Sequence, residues 1–125
     1  MNPDHAACPC GSGLTYAACC EPLHDGQAKA ATAEQLMRSR YAAYARNRSD
    51  YVFRTWHPRT RPRDVTPDPG TVWTGLTVLA VEAGGEDDDE GVVEFEARHE
   101  SGVLHERSRF VRRGTRWVYL DGNAP

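Results

Sequence analysis

The segment CPCGSGLTYAACC, residues 8–20, constrains this chain more than any other stretch, because all four of its cysteines lie there. A proline between the first two cysteines stiffens the backbone, so both sulfurs are able to face one centre. Gly11 and Gly13 permit the positive φ angles of a tight return. The spacing therefore predicts that four thiols converge on a soft-metal site. Its ligands are Cys8, Cys10, Cys19 and Cys20.

Zinc is the metal that this pattern favours, because Zn²⁺ prefers four tetrahedral ligands and binds cysteine sulfur at about 2.3 Å. With four protein ligands no position stays open for a substrate, so such a site is structural. Three alternatives remain: disulfides, including a vicinal Cys19–Cys20 bond; a metal-free redox relay; and an iron–sulfur cluster, although the spacing matches neither common ferredoxin pattern. His24 is a candidate substitute ligand, and otherwise a surface histidine in a linker.

The same residues resemble the SEC-C motif, the short zinc-binding tail of the SecA preprotein-translocase motor that recurs in many small bacterial proteins. In that family the run Cys-Pro-Cys-Gly-Ser-Gly precedes an aromatic residue, here Tyr16, and then a cysteine followed by histidine or cysteine. The four cysteines fall on the ligand positions, so the resemblance implies a zinc site. The departure is Leu14, where the family usually has lysine.

Length and composition fit one ordinary globular domain, with 125 residues, 39% of them hydrophobic and 26% charged. The formal charge of −3 gives no overall attraction to nucleic acid or anionic membranes. Most of the helix arginines are therefore interpreted as a solvated face rather than a nucleic-acid site: Arg38, Arg40, Arg46, Arg48 and Arg54. The sequence shows neither a signal-peptide pattern nor an apolar run of about 20 residues. We expect no membrane span, and a cytoplasmic location where thiols stay free for metal.

Two helices are predicted in the first half of the chain. Thr32 is the N-cap of the first, and Gln35 completes a capping box. Its buried stripe is expected to comprise Leu36, Met37, Tyr41 and Tyr44. Ser49 is expected to cap the second helix, which extends from Asp50 to about His57. This helix is expected to bury Val52, Phe53 and Trp56.

The second half of the chain has the pattern of an antiparallel meander. Strands are expected over residues 72–82, 93–99, 103–113 and 116–120. The first is apolar on both sides in places, which is typical of a central strand. The acidic run 84–91 is interpreted as a solvated hairpin tip. Helices followed by a curved meander indicate an α+β fold.

A second resemblance extends over nearly the whole chain. The segments ATAEQLMRSRYAAY (31–44), TWHP (55–58), LHERSRFVR (104–112) and RWVYLDG (116–122) are similar to the bacterial YchJ family. Those proteins join an SEC-C motif to a domain of the nuclear transport factor 2-like fold. The resemblance implies a zinc knuckle over residues 1–24, followed over residues 25–125 by a cone-like curved antiparallel sheet with N-terminal helices. It brings no established activity.

The cone offers a candidate ligand cavity, because strand LHERSRFVR carries unusual charge. Period-2 alternation places Leu104, Glu106, Ser108 and Phe110 on one face and Val103, His105, Arg107, Arg109 and Val111 on the other. The sequence leaves open which face lines the cavity. The candidate lining residues are Tyr41, Trp56, His57, His105, Glu106, Arg107 and Trp117. His57 and Glu106 would then be an acid–base pair; the alternative is that the charges pair across strands and only fix the sheet.

The function that these observations favour is that of a cytoplasmic zinc-binding protein, a non-catalytic binding or adaptor module whose knuckle contacts a protein partner. The alternative is a small-molecule-binding protein or enzyme that uses the cone cavity, but no catalytic residues are assigned. A homodimer is also expected through the outer face of the sheet, because both faces of strand 72–82 are apolar. The knuckle is the alternative cover for that surface.

Overall fold

The computed structural model describes residues 6–66, 68 and 70–125 of the chain. In these residues the helices are α1 (Glu21–His24), α2 (Ala33–Ala45) and α3 (Ser49–Arg54). The strands are β1 (Trp73–Ala83), β2 (Glu90–His99), β3 (Gly102–Arg113) and β4 (Arg116–Asn123). Consecutive strands are antiparallel, in the sheet order β1-β2-β3-β4. The predicted α+β meander is confirmed. Among the described helices, none has the length and apolar character that crossing a membrane requires.

Helix α2 begins with the predicted capping box. The hydroxyl of Thr32 accepts a hydrogen bond from the Gln35 N–H at 3.1 Å. The side-chain oxygen of Gln35 in turn accepts from the backbone N–H of Ala31 at 2.7 Å. The first bond satisfies a donor that the first helical turn leaves free, and the second fixes the residue just before the N-cap. The helix then packs its apolar stripe, including Leu36 and Met37, against the core face of the sheet.

Helix α3 is shorter than predicted and begins and ends at other residues, since it spans Ser49–Arg54. Ser49 lies inside it, because Arg48 is the N-cap and makes no side-chain capping bond. It ends at Arg54 because the chain then pairs with the edge of β4. The Tyr119 N–H donates to the Thr55 carbonyl, and the His57 N–H donates to the Tyr119 carbonyl, both at 2.8 Å. The expectation that Phe53 is buried was wrong.

Phe53 is 43% exposed, with the Arg61 guanidinium 3.7 Å from its ring centre.

The sheet brings a second correction, because β1 is an edge strand rather than the predicted central one. Register shifts within β1, between Trp73 and Gly75 and between Val78 and Ala80, mark the irregularities that bend a strand. The core lies between α2 and the inward residues of β2 and β3.

The outer face of the sheet is charged. Glu94 on β2 accepts from His105 Nε2 at 2.7 Å and from Arg107 Nη1 at 3.4 Å. Arg107 also reaches Glu82 on β1, with 2.6 Å between Nη2 and Oε2. Such cross-strand ion pairs interrupt the apolar surface on which the expected homodimer depended, although β1 and β3 also expose Leu79, Val81 and Val103. The homodimer stays a prediction.

A close contact between α2 and the first hairpin depends on glycine. A Cβ atom on Gly91 would lie 2.5 Å from the Gly84 Cα and 2.9 Å from the Ala33 Cβ. We expect Gly91→Ala to lower the free energy of unfolding by about 1–3 kcal/mol, because backbone would have to move. Gly85→Ala is the matched control, since its nearest contact would be 3.4 Å. Urea unfolding measures the stability of both variants, and a Gly91→Ala variant as stable as Gly85→Ala would contradict the importance of this contact.

Candidate metal centre and cone cavity

The N-terminal loop brings the two cysteine pairs of the knuckle together. The Cys8 N–H donates to the Leu14 carbonyl at 2.9 Å, so the chain returns on itself between them. Gly11 and Gly13 make that return with φ angles of 79° and 87°. Such angles suit glycine because it has no Cβ. Cys20 is the N-cap of α1, which places the second cysteine pair at the start of that helix.

The four sulfurs have the spacing of a tetrahedral metal site. All four lie within 4.8 Å of one another. Cys10 Sγ is 3.6 Å from Cys19 Sγ, which is 3.9 Å from Cys20 Sγ. A tetrahedron with metal–sulfur bonds of about 2.3 Å has edges of about 3.8 Å, whereas a disulfide bond is about 2.05 Å long. The predicted ligands therefore converge, none is in a disulfide, and the cluster is able to hold a metal ion.

Burial and mutual hydrogen bonds set the proton affinities of the thiols. Hydrogen bonds from Cys20 and Cys8 hold the pKa of Cys10 far below its usual range. The same contacts, with burial, raise the pKa of Cys20, and the hydrogen bond with Cys10 raises the pKa of Cys8 to about 11. Of these three thiols, that of Cys10 therefore has the lowest pKa. A bound cation must displace protons from its partners.

His24 is neither a cluster ligand nor the surface histidine of a linker. Its side chain is 1% exposed, and the potential ligand group consists of the four cysteines without it. Its Nε2 lies 2.8 Å from the Ser39 carbonyl oxygen, which only accepts, so this nitrogen carries the proton. Nδ1 then accepts from the Tyr16 hydroxyl at 2.6 Å. The imidazole thus joins the knuckle to α2.

Arginines complete this junction. Their interpretation as a mostly solvated face holds for Arg46 and Arg54, which are exposed, but not for Arg40, which is buried. Arg38 Nη1 donates to the Cys10 carbonyl at 2.8 Å, and the Arg46 guanidinium lies 4.1 Å from the Tyr16 ring centre. Arg48 and Arg54 both donate to the His24 carbonyl, at 3.1 and 2.6 Å. These bonds fix the backbone of the metal loop on the helices.

The cone contains a cavity of about 290 Å³ that lies between the helices and the sheet and is open to solvent on one side. The face of β3 that carries Glu106 and Ser108 lines it, which answers the question that period-2 alternation left open. Of the candidate lining residues, Tyr41, Trp56 and Glu106 lie in its wall. Tyr41 lies on α2, Trp56 lies in the segment that follows α3, and Glu106 lies on β3.

The other four candidate residues lie elsewhere. His105 and Arg107 project from the opposite face of β3, where alternation places them beside Glu94. His57 does not line the cavity, and its Nδ1 accepts from the Arg59 N–H at 3.0 Å, so the pair with Glu106 is not assembled there. Trp117 is buried in the core, with its Nε1 donating to the Ala31 carbonyl at 3.2 Å.

Arg40, Tyr44 and Tyr119 also line the cavity, and the sequence analysis missed them as site residues. A signal for Arg40 was present. It lies three residues after Met37 and four before Tyr44, which is the spacing of the buried stripe of α2. An arginine at such a position must be buried, and Arg40 is 6% exposed.

The buried imidazole predicts a pH dependence of stability. Burial, with the charges of Arg48 and Arg54, lowers the pKa of His24 below 6.5. The unfolded chain therefore binds a proton that the folded chain excludes, and stability falls as the pH drops below about 6.5, by at most about 1.4 kcal/mol per pH unit. We expect urea unfolding between pH 7.5 and 5.5 to show that the free energy of unfolding changes less steeply with pH in His24→Gln than in the native protein. Identical slopes would contradict this effect.

Comparisons with known proteins extend over both parts of the chain. A model of the YchJ middle, NTF2-like domain matches residues 32–122, and a model of the SEC-C motif matches residues 6–22. A UPF0225 protein of Streptomyces avermitilis is 51% identical over 121 residues, covering 97% of this chain and 86% of that protein. A UPF0225 protein of Deinococcus radiodurans is 51% identical over 124 residues, covering 95% of this chain and 90% of that protein.

Two solved structures are similar in fold. The solution structure of a SEC-C motif containing protein from Rhodopseudomonas palustris has a TM-score of 0.83 and 39% identity, covering 94% of this chain and 98% of that chain. The crystal structure of a SEC-C motif containing protein from Psychrobacter arcticus has a TM-score of 0.79 and 30% identity, covering 97% and 84%. The described α+β fold is thus of the NTF2-like kind.

Proposed function

Because the chain belongs to the YchJ family, which combines an SEC-C motif with an NTF2-like domain, we propose that it is a cytoplasmic zinc-binding protein with a non-catalytic, adaptor role. One observation carries the proposal: four cysteine sulfurs lie within 4.8 Å of one another, and two of the separations, 3.6 and 3.9 Å, match the edge of a metal–thiolate tetrahedron. Tetrahedral sites of four thiolates select zinc or iron, and four-cysteine zinc sites are closed. The reducing cytoplasm keeps such thiols free for metal.

Zinc in this site would supply folding free energy rather than chemistry. It would join the loop that begins at Cys8 to the start of α1, where Cys19 and Cys20 lie. Zinc binding to small folding units contributes about 10–16 kcal/mol of apparent binding free energy at neutral pH. The same loop is bound to α2 through Arg38 and His24. The metal therefore stabilises the knuckle on the NTF2-like domain.

The tip of the metal loop supports a role in binding a protein partner. Leu14 is 54% exposed, and its N–H donates to the Ser12 hydroxyl at 3.1 Å. That hydroxyl lies 3.2 Å from Cys19 Sγ, so the tip and the cluster are fixed together. A pre-organised tip loses little conformational entropy on binding. An exposed leucine there suits a partner with an apolar pocket.

Metal analysis tests the zinc assignment. Protein purified without added metal should contain about one zinc per chain, as a closed four-thiolate site requires. Cys10→Ser should lose most of that zinc. His24→Gln should retain it while unfolding at lower urea, because the imidazole packs but does not ligate. Iron in place of zinc, or zinc well below one per chain in folded protein, would contradict the proposal. Equal zinc in Cys10→Ser would contradict it as well.

A further inference from the structure

Arg40 brings a positive charge into the wall of the cone cavity. Its side chain is 6% exposed. Nη1 donates to the Val52 carbonyl at 3.0 Å and to the Thr55 hydroxyl at 2.8 Å. In the described part of the chain, Nε and Nη2 make no hydrogen bond and no carboxylate forms an ion pair with this guanidinium. Among the described residues Trp56 Nε1 is the one fully buried side-chain nitrogen or oxygen without a partner, so Nε and Nη2 of Arg40 are not sealed in protein and have access to the cavity.

Aromatic rings hold this cation in place. The guanidinium carbon lies 5.1 Å from the ring centre of Trp56 and 4.7 Å from that of Tyr119. Ring faces attract a desolvated cation, but they do not satisfy its N–H donors. The carboxylate of Glu106 lines the same cavity and acts on this charge, but it forms no ion pair with the guanidinium. An anion that enters the cavity and meets Nε and Nη2 therefore gains a charge-assisted, planar interaction.

Glu106 places a carboxylate, a hydrogen-bond acceptor, in the same cavity. Its Oε2 accepts from the Ser108 hydroxyl at 2.5 Å and lies 3.5 Å from the Tyr119 hydroxyl. Oε1 accepts no hydrogen bond from the described residues. A ligand that brings only negative charge would be repelled here. A ligand that carries both an acceptor and a donor is able to hydrogen-bond to the guanidinium of Arg40 and to the carboxylate of Glu106.

The rest of the lining fixes the size and polarity of the ligand. It is mostly apolar and aromatic, including Met37, Tyr41, Trp73, Phe95 and Phe110. A volume of about 290 Å³ lies at the lower end for ligand pockets, which span about 300–1,000 Å³. The indole Nε1 of Trp56 is buried in this wall without a partner among the described residues. Flat apolar molecules stack favourably on such rings.

We propose that the cone cavity binds a small aromatic carboxylate that carries a hydrogen-bond donor at its far end. The carboxylate contacts the free guanidinium donors of Arg40, the ring packs between the aromatic walls, and the donor faces Glu106. This site is separate from the four-cysteine cluster. Its occupancy therefore tests the cavity and leaves the zinc assignment untouched.

An NMR titration of the zinc-loaded full chain with 4-hydroxybenzoate tests the proposal. The chain has three tryptophans, whose indole N–H signals are resolved by assignment. The signals of Trp56 and Trp73, which line the cavity, should shift with saturation. The signal of Trp117 is the internal control, because its Nε1 is bonded to Ala31 outside the cavity. No shift at millimolar probe, or equal shifts of all three signals, would overturn the site.

Two analogues and three variants resolve the roles of the charges. The amide 4-hydroxybenzamide should bind at least about tenfold more weakly, because it lacks the carboxylate charge. Benzoate should also bind more weakly in the native protein, but several-fold more tightly to Glu106→Gln, which removes the repulsion. Arg40→Gln should abolish binding of 4-hydroxybenzoate, while Arg109→Gln, an exposed arginine paired with Asp121, should leave it unchanged.

The contrary results are equally definite. Binding of the amide as tight as that of the acid would overturn the role of the Arg40 charge. If Arg40→Gln fails to fold, the Glu106→Gln result still decides, because that variant is predicted to gain affinity for benzoate. Unchanged or weaker benzoate binding by Glu106→Gln would overturn the proposal.

Discussion

The four cysteine sulfurs impose the constraint on which the N-terminal part of the molecule depends. To hold the proposed zinc ion they must lie about 3.8 Å apart around a common centre, and a sharply folded loop brings Cys8 and Cys10 to Cys19 and Cys20. That loop packs a small buried cluster, which includes Tyr16, against Ala42 of α2. It is stable on the protein because Tyr16, His24 and Ser39 form a buried hydrogen-bonded chain between knuckle and helix. Thiolate geometry and buried polar bonding therefore act together.

Helix α2 serves two sites with different residues. Arg38 and Ser39 bind the metal loop and His24 through backbone carbonyls. Arg40 and Tyr41 line the cone cavity. Neighbouring positions on the helix point to different sides because successive residues are about 100° apart. The candidate metal centre and the cavity therefore both depend on α2, but they use different residues of that helix.

Much of this arrangement was predictable from local rules. The four cysteines, the capping box at Thr32 and the order of the strands follow from spacing, capping and turn residues. Burial depends on how the elements dock, and the local rules failed there. His24 follows Pro22 in what resembled an exposed linker, but α1 docks on α2 and buries it. The two faces of β3 were predicted, but only the position of α2 decides which face lines the cavity.

X-ray absorption at the zinc edge tests most directly the claim that four thiolates close the metal site. The account predicts a first shell of four sulfur atoms at about 2.3 Å and no nitrogen or oxygen. The imidazole of His24 should be missing from that shell, because both of its nitrogens are hydrogen-bonded within the knuckle and α2. A shell that contains nitrogen or oxygen in place of one sulfur would contradict the closed site and its structural role.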